Sequence, residues 1–122
     1  MQLASRQYGN IVVVAPSGRI DHTAAAPFEQ ALTPFLGDAA AAGLVLDFSG
    51  VEYISSVGLR VLMIAAKQMR GRKARIAVSA LQPIVAEIFK ISRFDAVVEV
   101  FPSIRVALGA LLPEARDAFD AG

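Results

Sequence analysis

Two adjacent serines, Ser55 and Ser56, stand at the predicted start of a helix, after a buried strand and a short loop. A serine hydroxyl in this position can cap the helix by accepting a hydrogen bond from an unpaired backbone N–H, which contributes about 1 kcal/mol. It can also carry a phosphate, because the N–H groups and the dipole of a helix N-terminus attract an anion with a charge of about −1.5 to −2. Position alone favours capping, and both roles stay open at this point.

Catalysis by either serine is a weaker hypothesis. The segment Ser55-Ser56-Val57-Gly58 lies between a strand and a helix, as a nucleophile elbow does, but it lacks the glycine two positions before the serine. The single histidine, His22, is the only candidate base and is interpreted as an ordinary loop residue. There is no cluster of histidines or cysteines, and Phe48-Ser49-Gly50 has no lysine after it, so neither a metal site nor a phosphate-binding loop is predicted. We therefore expect a protein that is not an enzyme and has no cofactor.

The composition indicates one globular domain. The 122 residues are 55% hydrophobic and 19% charged, which excludes a disordered chain. A net charge of +1 argues against nucleic-acid binding, and one basic cluster is interpreted as a solvated loop: Arg70, Arg72, Lys73 and Arg75. The sequence has no cysteine, no signal-peptide pattern in Met1–Tyr8 and no apolar run long enough to span a bilayer. These features predict a cytoplasmic protein that does not insert into a membrane.

Strands and helices alternate along the chain in the order β-β-α-β-α-β-α-β-α. Strands are predicted from β-branched or continuous apolar runs at residues 3–8, 11–15, 43–48, 75–79 and 96–101. The first two form a hairpin across Gly9-Asn10, and the second ends at a turn, Pro16-Ser17-Gly18. Helices are predicted from periodic apolar residues at 24–36, 56–69, 83–91 and 103–112, and Thr23 and Ser103 are candidate caps.

This alternation predicts an α/β fold. We expect a single domain with a four- to five-stranded, mostly parallel (mixed) sheet, an N-terminal β-hairpin and about four surrounding helices. The domain covers residues 1–112. Because Pro113 interrupts the last helix, residues 113–122 are expected to be a C-terminal tail that is either frayed or a short helix.

The predicted helix at residues 56–69 is apolar nearly all round. One stripe consists of Leu59, Leu62, Met63 and Ala66, and a second of Val57, Val61, Ile64 and Ala65. Burial against the sheet accounts for one stripe, and the other is either buried as well or a surface for a partner.

A resemblance to a known family covers nearly the whole chain. The segment Asp47–Leu59, DFSGVEYISSVGL, resembles the signature of the STAS domain, which bacterial anti-sigma factor antagonists share with the cytoplasmic tails of sulfate transporters. Gly18–Asp21, with the small residues Ala24 and Ala25 after it, is similar to the family's second motif, Gly-Glu-Leu-Asp followed by a helix of small residues. The resemblance implies the STAS fold.

The resemblance also implies a modification site. In the antagonists the motif reads Asp-Ser-Ser/Thr-Gly-Leu, and the anti-sigma factor kinase phosphorylates the first serine. On this chain the aspartate position falls at Ser55, the phosphorylated serine at Ser56 and the glycine at Gly58. Ser55 thus replaces an acidic residue and becomes the second choice for phosphorylation, while Val57 replaces a hydroxyl residue. Asp21 is expected near the same end of the sheet as the remaining acidic neighbour.

The function implied is partner switching. The unmodified protein would bind an anti-sigma factor that is a serine/threonine kinase, phosphate on Ser56 would end that complex, and a serine phosphatase would restore it. The partner surface implied is Asp21, Ser55, Ser56, Val57, Gly58, Arg60 and Val61. The expected state is a monomer or weak dimer. The alternative is a STAS subunit of another assembly: a stressosome-like scaffold, a lipid-transport accessory protein or a two-component output partner.

Overall fold

A five-stranded mixed sheet lies at the centre of the protein, and the computed structural model describes all 122 residues. The first two strands pair antiparallel as a hairpin, and the other pairs are parallel, so the predicted mixed sheet and hairpin are confirmed. In spatial order the strands are β1 (Ala4–Tyr8), β2 (Ile11–Ala15), β4 (Gly43–Asp47), β6 (Arg75–Ser79) and β7 (Glu99–Phe101). Two more strands, β3 (Ser17–Ile20) and β5 (Gly50–Ile54), form a separate parallel pair.

Five helices cover the central sheet on both faces. They are α1 (Ala25–Leu36), α2 (Ser56–Gly71), α3 (Pro83–Ile91), α4 (Ile104–Leu111) and α5 (Pro113–Ala121). Successive residues of β4 face opposite cores: Leu44 and Leu46 belong to the larger core with α1, α2 and α3, whereas Val45 belongs to the smaller core with α4 and α5. The continuous apolar run in this strand therefore serves a sheet that is covered on both sides, as predicted.

Residues 113–122, for which the sequence left a frayed tail or a short helix open, contain α5. Its Phe119 ring meets the Tyr8 ring edge-on, with centroids 5.3 Å apart, and Ala115 is fully buried. Arg105 of α4 binds Asp120 with an Nε–Oδ1 distance of 2.9 Å. The helix therefore closes the smaller core over the N-terminal hairpin.

Two predictions about loops were wrong. The residues expected to form a turn, Pro16-Ser17-Gly18, lead into β3, and the expected loop after β4 contains β5. Each strand is short and has only the other as its partner, with Ile20 opposite Ile54 at their ends. The register of the pairing shifts at Gly18, whose φ is +82°. This irregularity interrupts the alternation of residues by which a strand is predicted from sequence.

The last strand is shorter than predicted. It begins at Glu99 instead of Ala96, because Phe94–Ala96 form a 3-10 turn. The buried Phe94 ring packs edge-on against Phe89 of α3 at 5.2 Å. This contact holds the chain in a turn before it enters the sheet.

The basic cluster is only partly a solvated loop. Arg72 donates hydrogen bonds to the carbonyl oxygens of Leu36 and Ala41, at 2.9 and 3.0 Å, and so satisfies backbone groups where α1 ends. Arg75 forms an ion pair with Glu99 of β7 at 2.6 Å. Two of the four cations therefore have structural roles, and that part of the prediction was wrong.

Candidate functional site

The pairing of β3 with β5 brings the two sequence motifs together. Ile20 and Ile54 are opposite each other where the two strands end, and the Ser55 N–H donates to the Ile20 carbonyl at 2.8 Å. Asp21 and Ser55, the residues that follow, therefore lie at one edge of the fold. The structure thus places Asp21 next to the start of α2, where the resemblance implied an acidic neighbour.

The two serines have different environments. Ser55 is the N-cap of α2: its Oγ accepts a hydrogen bond from the Gly58 N–H at 3.2 Å, and the residue is half-buried. Ser56 is the first residue of the helix, is exposed, and its hydroxyl makes no hydrogen bond within the chain. Of the two serines, Ser55 therefore caps the helix, and Ser56 has the accessible hydroxyl.

Gly58 is the point at which α2 touches β3 and β5. A Cβ on this residue would lie 2.8 Å from Ile54 Cγ1, 2.9 Å from Ile20 Cγ2 and 3.1 Å from the Ile20 carbonyl oxygen. The chain's own strands therefore approach Gly58 closely, and the residue is buried. This contact fixes the first turn of α2, and with it the position of Ser56.

A groove between α1 and α2 begins one residue from Ser56. It has a volume of about 320 Å³ and is lined by Ala25, Ala26, Glu29, Val57, Arg60, Val61 and Ile64. Val57 is 47% exposed and Ile64 43%, whereas Val61 and Ala65 of the same stripe are buried. The second apolar stripe therefore divides: half packs inside, and half faces solvent along the groove. Met63, placed on the other stripe, is also exposed.

Asp21 holds the turn that precedes α1. Its Oδ1 accepts from the N–H groups of Thr23 and Ala24, both at 3.0 Å, and from the Thr23 hydroxyl at 2.7 Å. The Thr23 hydroxyl, followed by the Ala24 N–H, lowers the pKa of Asp21 below its ordinary value of 3.8, so the carboxylate stays ionised. The prediction that Thr23 caps this helix was wrong, because the N-cap is Ala24 and no side chain caps the helix; the Thr23 hydroxyl instead donates to Asp21.

Arg19 and Tyr53 lie beside the site, and the sequence predicted no role for either residue. They are opposite each other in β3 and β5, and the Arg19 guanidinium sits 4.5 Å from the centre of the Tyr53 ring. The contact is a cation–π pair. Only the strand pairing reveals it, because neither strand was predicted; the one available signal was that Arg19 occupies the acidic position of the Gly-Glu-Leu-Asp motif.

The two serines lack the partners that a nucleophile or a metal site would have. Neither serine hydroxyl has a hydrogen bond to His22 or to another base, and no group of three or more His, Asp or Glu residues lies close enough together to hold a metal ion. No helix combines the length and apolar character needed to cross a membrane. What the site presents is an exposed hydroxyl, exposed apolar side chains and charges of both signs.

Comparison with known proteins identifies the family. Residues 2–107 match the STAS domain model, so the chain belongs to the STAS domain family. Over 67 residues it is 40% identical to BtrV of Bordetella bronchiseptica, which bears the name of an anti-sigma factor antagonist; the alignment covers 55% of this chain and 58% of BtrV. It is 28% identical to the anti-sigma-F factor antagonist RsfB of Mycobacterium tuberculosis, over 83% of this chain and 81% of RsfB.

Solved structures share the fold. A crystal structure of an anti-sigma factor antagonist from Mycobacterium paratuberculosis superposes with a TM-score of 0.81 at 27% identity, covering 90% of this chain and 92% of that one. The phosphorylated form of the Bacillus protein SpoIIAA superposes with a TM-score of 0.67 at 14% identity, covering 90% and 99%. The predicted STAS-like α/β domain is confirmed.

Proposed function

We propose that this protein is an anti-sigma factor antagonist that binds an anti-sigma factor with serine kinase activity and is released when Ser56 is phosphorylated. The observation that carries the proposal is that Ser56, alone of the two serines, has a free and exposed hydroxyl, at the end of a groove with exposed apolar residues. The names of the relatives BtrV and RsfB support the same role.

The partner surface has three parts that lie side by side. The N-terminal turn of α2 exposes Ser56 to the kinase. The groove exposes Val57 and Ile64, which a partner can bury, and the charged residues Arg60 and Glu29 lie at its border. Apolar side chains that a partner covers provide affinity, and charges around them provide orientation. The kinase, and not this protein, binds the ATP. A serine phosphatase restores the unmodified antagonist, and the kinase and the phosphatase are both cytoplasmic.

Phosphorylation breaks the complex by adding charge and bulk at its centre. A phosphoserine carries about −1.5 to −2 charges, and their desolvation on binding is unfavourable. A hundredfold loss of affinity requires about 2.7 kcal/mol, which lies within the range of such charge changes at interfaces.

The test is a kinase assay with the two single-serine variants. Incubation with the cognate kinase and ATP should label wild-type protein and Ser55→Ala, and should leave Ser56→Ala unlabelled; mass spectrometry then locates the phosphate. Calorimetry should give at least about a hundredfold weaker binding for the phosphorylated form. Equal labelling of Ser56→Ala overturns the assigned site, and equal affinity of the two forms overturns partner switching.

A further inference from the structure

We propose that Arg60 is the internal partner of the phosphate: phosphorylated Ser56 pairs with the Arg60 guanidinium along α2 and so withdraws this cation from the partner surface. The proposal rests on the proposed function, since it explains how the same modification would regulate the same site. It adds a second effect to the new negative charge, namely the loss of a positive one.

The positions of the two residues in α2 permit this contact. Ser56 and Arg60 are four residues apart in a regular 16-residue helix, and both are exposed. Side chains with this spacing are neighbours on the helix surface, about 6 Å apart along the axis. The anion stands N-terminal to the cation, which is the more favourable orientation for such a pair.

Arg60 is free to accept a new partner. It makes no hydrogen bond or ion pair in the structure, unlike Arg72, Arg75 and Arg105, whose side chains are all engaged. Glu29 lines the same groove, but the two side chains form no ion pair. A guanidinium can bind two phosphate oxygens at once, which makes it a better match for phosphate than for a single carboxylate oxygen.

The other charged residues nearby are less suited to this role. The Arg19 guanidinium is held over the Tyr53 ring, and the Asp21 carboxylate, held by Thr23 and Ala24 before α1, repels a phosphate. Glu52 and Glu29 are exposed anions. His22 adjoins Asp21, outside α2. Arg60 is therefore the one unengaged arginine among the charged residues around Ser56.

Arg60 then acts in both states of the switch. In the unmodified protein its guanidinium borders the groove and is available to an acidic residue of the partner. In the phosphorylated protein it binds the phosphate and is no longer available. Substitution of Arg60 should therefore weaken binding of the unphosphorylated protein to the kinase. It should also reduce the difference in affinity between the unphosphorylated and phosphorylated forms.

The first test needs no kinase. Phosphoserine is inserted at position 56 during translation, and its second pKa is measured by phosphorus NMR titration. Because a neighbouring cation favours the dianion, the wild-type value should lie about 0.3 pH unit below that of Arg60→Gln. Lys67→Gln is the matched control: Lys67 is exposed on the same face of α2, about 10 Å beyond Arg60, and its removal should leave the wild-type value unchanged. Equal values for wild type and Arg60→Gln overturn the pairing.

The second test measures binding of the kinase to both forms of each variant. Arg60→Gln should bind about fivefold more weakly than wild type when unphosphorylated, and its ratio of unphosphorylated to phosphorylated affinity should be smaller. An unchanged ratio overturns the dual role of Arg60. If the wild-type forms bind the kinase equally, the proposed function fails, whereas the titration still decides whether the pair forms.

Discussion

Ser55 and Ser56 are adjacent, yet only one of their hydroxyl groups is used by the fold. The Ser55 hydroxyl caps α2 through the Gly58 N–H, while the Ser56 hydroxyl points to no partner in the chain. Phosphorylation of a hydroxyl that caps a helix would break the capping hydrogen bond. Phosphorylation of an exposed hydroxyl without a partner breaks no hydrogen bond. This division makes Ser56 the better site for a reversible modification.

Stability measurements should separate the two serines. Ser55→Ala removes the cap and should lower the free energy of unfolding by about 1 kcal/mol. Ser56→Ala removes an exposed hydroxyl without a partner and should change it by less than about 0.5 kcal/mol. Urea unfolding followed by circular dichroism measures both. Equal losses in the two variants would contradict the assignment of the cap.

Asp21 should make stability depend on acid pH. Its pKa is lowered in the folded protein, chiefly by the Thr23 hydroxyl, so the stability it provides is fully present above its ordinary value of 3.8 and is lost as the pH falls through the lowered value. Asp21→Asn cannot titrate. Between neutral pH and about pH 3, wild type should therefore lose more unfolding free energy than this variant. Parallel profiles would show that the hydrogen bonds of the carboxylate do not favour its ionised form.

Two short strands, β3 and β5, decide where the first turn of α2 lies. Their final residues, Ile20 and Ile54, press against Gly58, and the Ser55 backbone bonds to Ile20. The helix start is thus clamped to the same edge that carries Asp21. These contacts fix the position from which α2 presents Ser56.

Gly58→Ala should destabilise the protein in spite of the better helix propensity of alanine. The gain of about 1 kcal/mol in propensity is opposed by overpacking against Ile20 and Ile54, which typically costs about 1–3 kcal/mol, so a small net loss is expected. Gly71→Ala, at the other end of α2, is the matched control because its Cβ would meet nothing within 4 Å. Thermal unfolding of both variants measures the difference. A Gly58→Ala protein as stable as Gly71→Ala would mean that the first turn is not tightly packed.

The molecule has two cores on opposite faces of one sheet, and the candidate site lies with only one of them. Ile20, Ile54 and Leu59 belong to the larger core, whereas α4 and α5 enclose the smaller one. Because Ser56 is exposed, a phosphate on its hydroxyl would lie outside both cores. A switch of this kind acts at the surface and leaves the fold intact.

Backbone chemical shifts should therefore change only locally on phosphorylation. We expect changes in the first turns of α2 and at the ends of β3 and β5, with none in α4 or α5. Ser56→Asp should keep the fold and the thermal stability of wild type while it loses affinity for the kinase; a partial loss suffices, because aspartate carries one charge and fewer acceptors than phosphate. Shift changes throughout the central sheet would instead indicate an allosteric switch.

Local patterns in the sequence were enough for the main elements. The apolar run of β4, the hairpin at Gly9-Asn10 and the Ser103 cap are each encoded within a few neighbouring residues, and all three occur in the structure. The family motif, also local, predicts the site at Ser56. Such features are predictable because their physical causes act over one turn or one strand.

Contacts between distant parts of the chain required the three-dimensional structure. β3 and β5 are stable only as partners, Arg72 bonds to carbonyls more than thirty positions away, and the Arg19–Tyr53 pair exists only because the strands are in register. The different roles of Ser55 and Ser56 also depend on the packing of Gly58 against Ile20, which sets where the helix begins. No local pattern contains this information, since the free energy of such contacts depends on residues that only folding brings together.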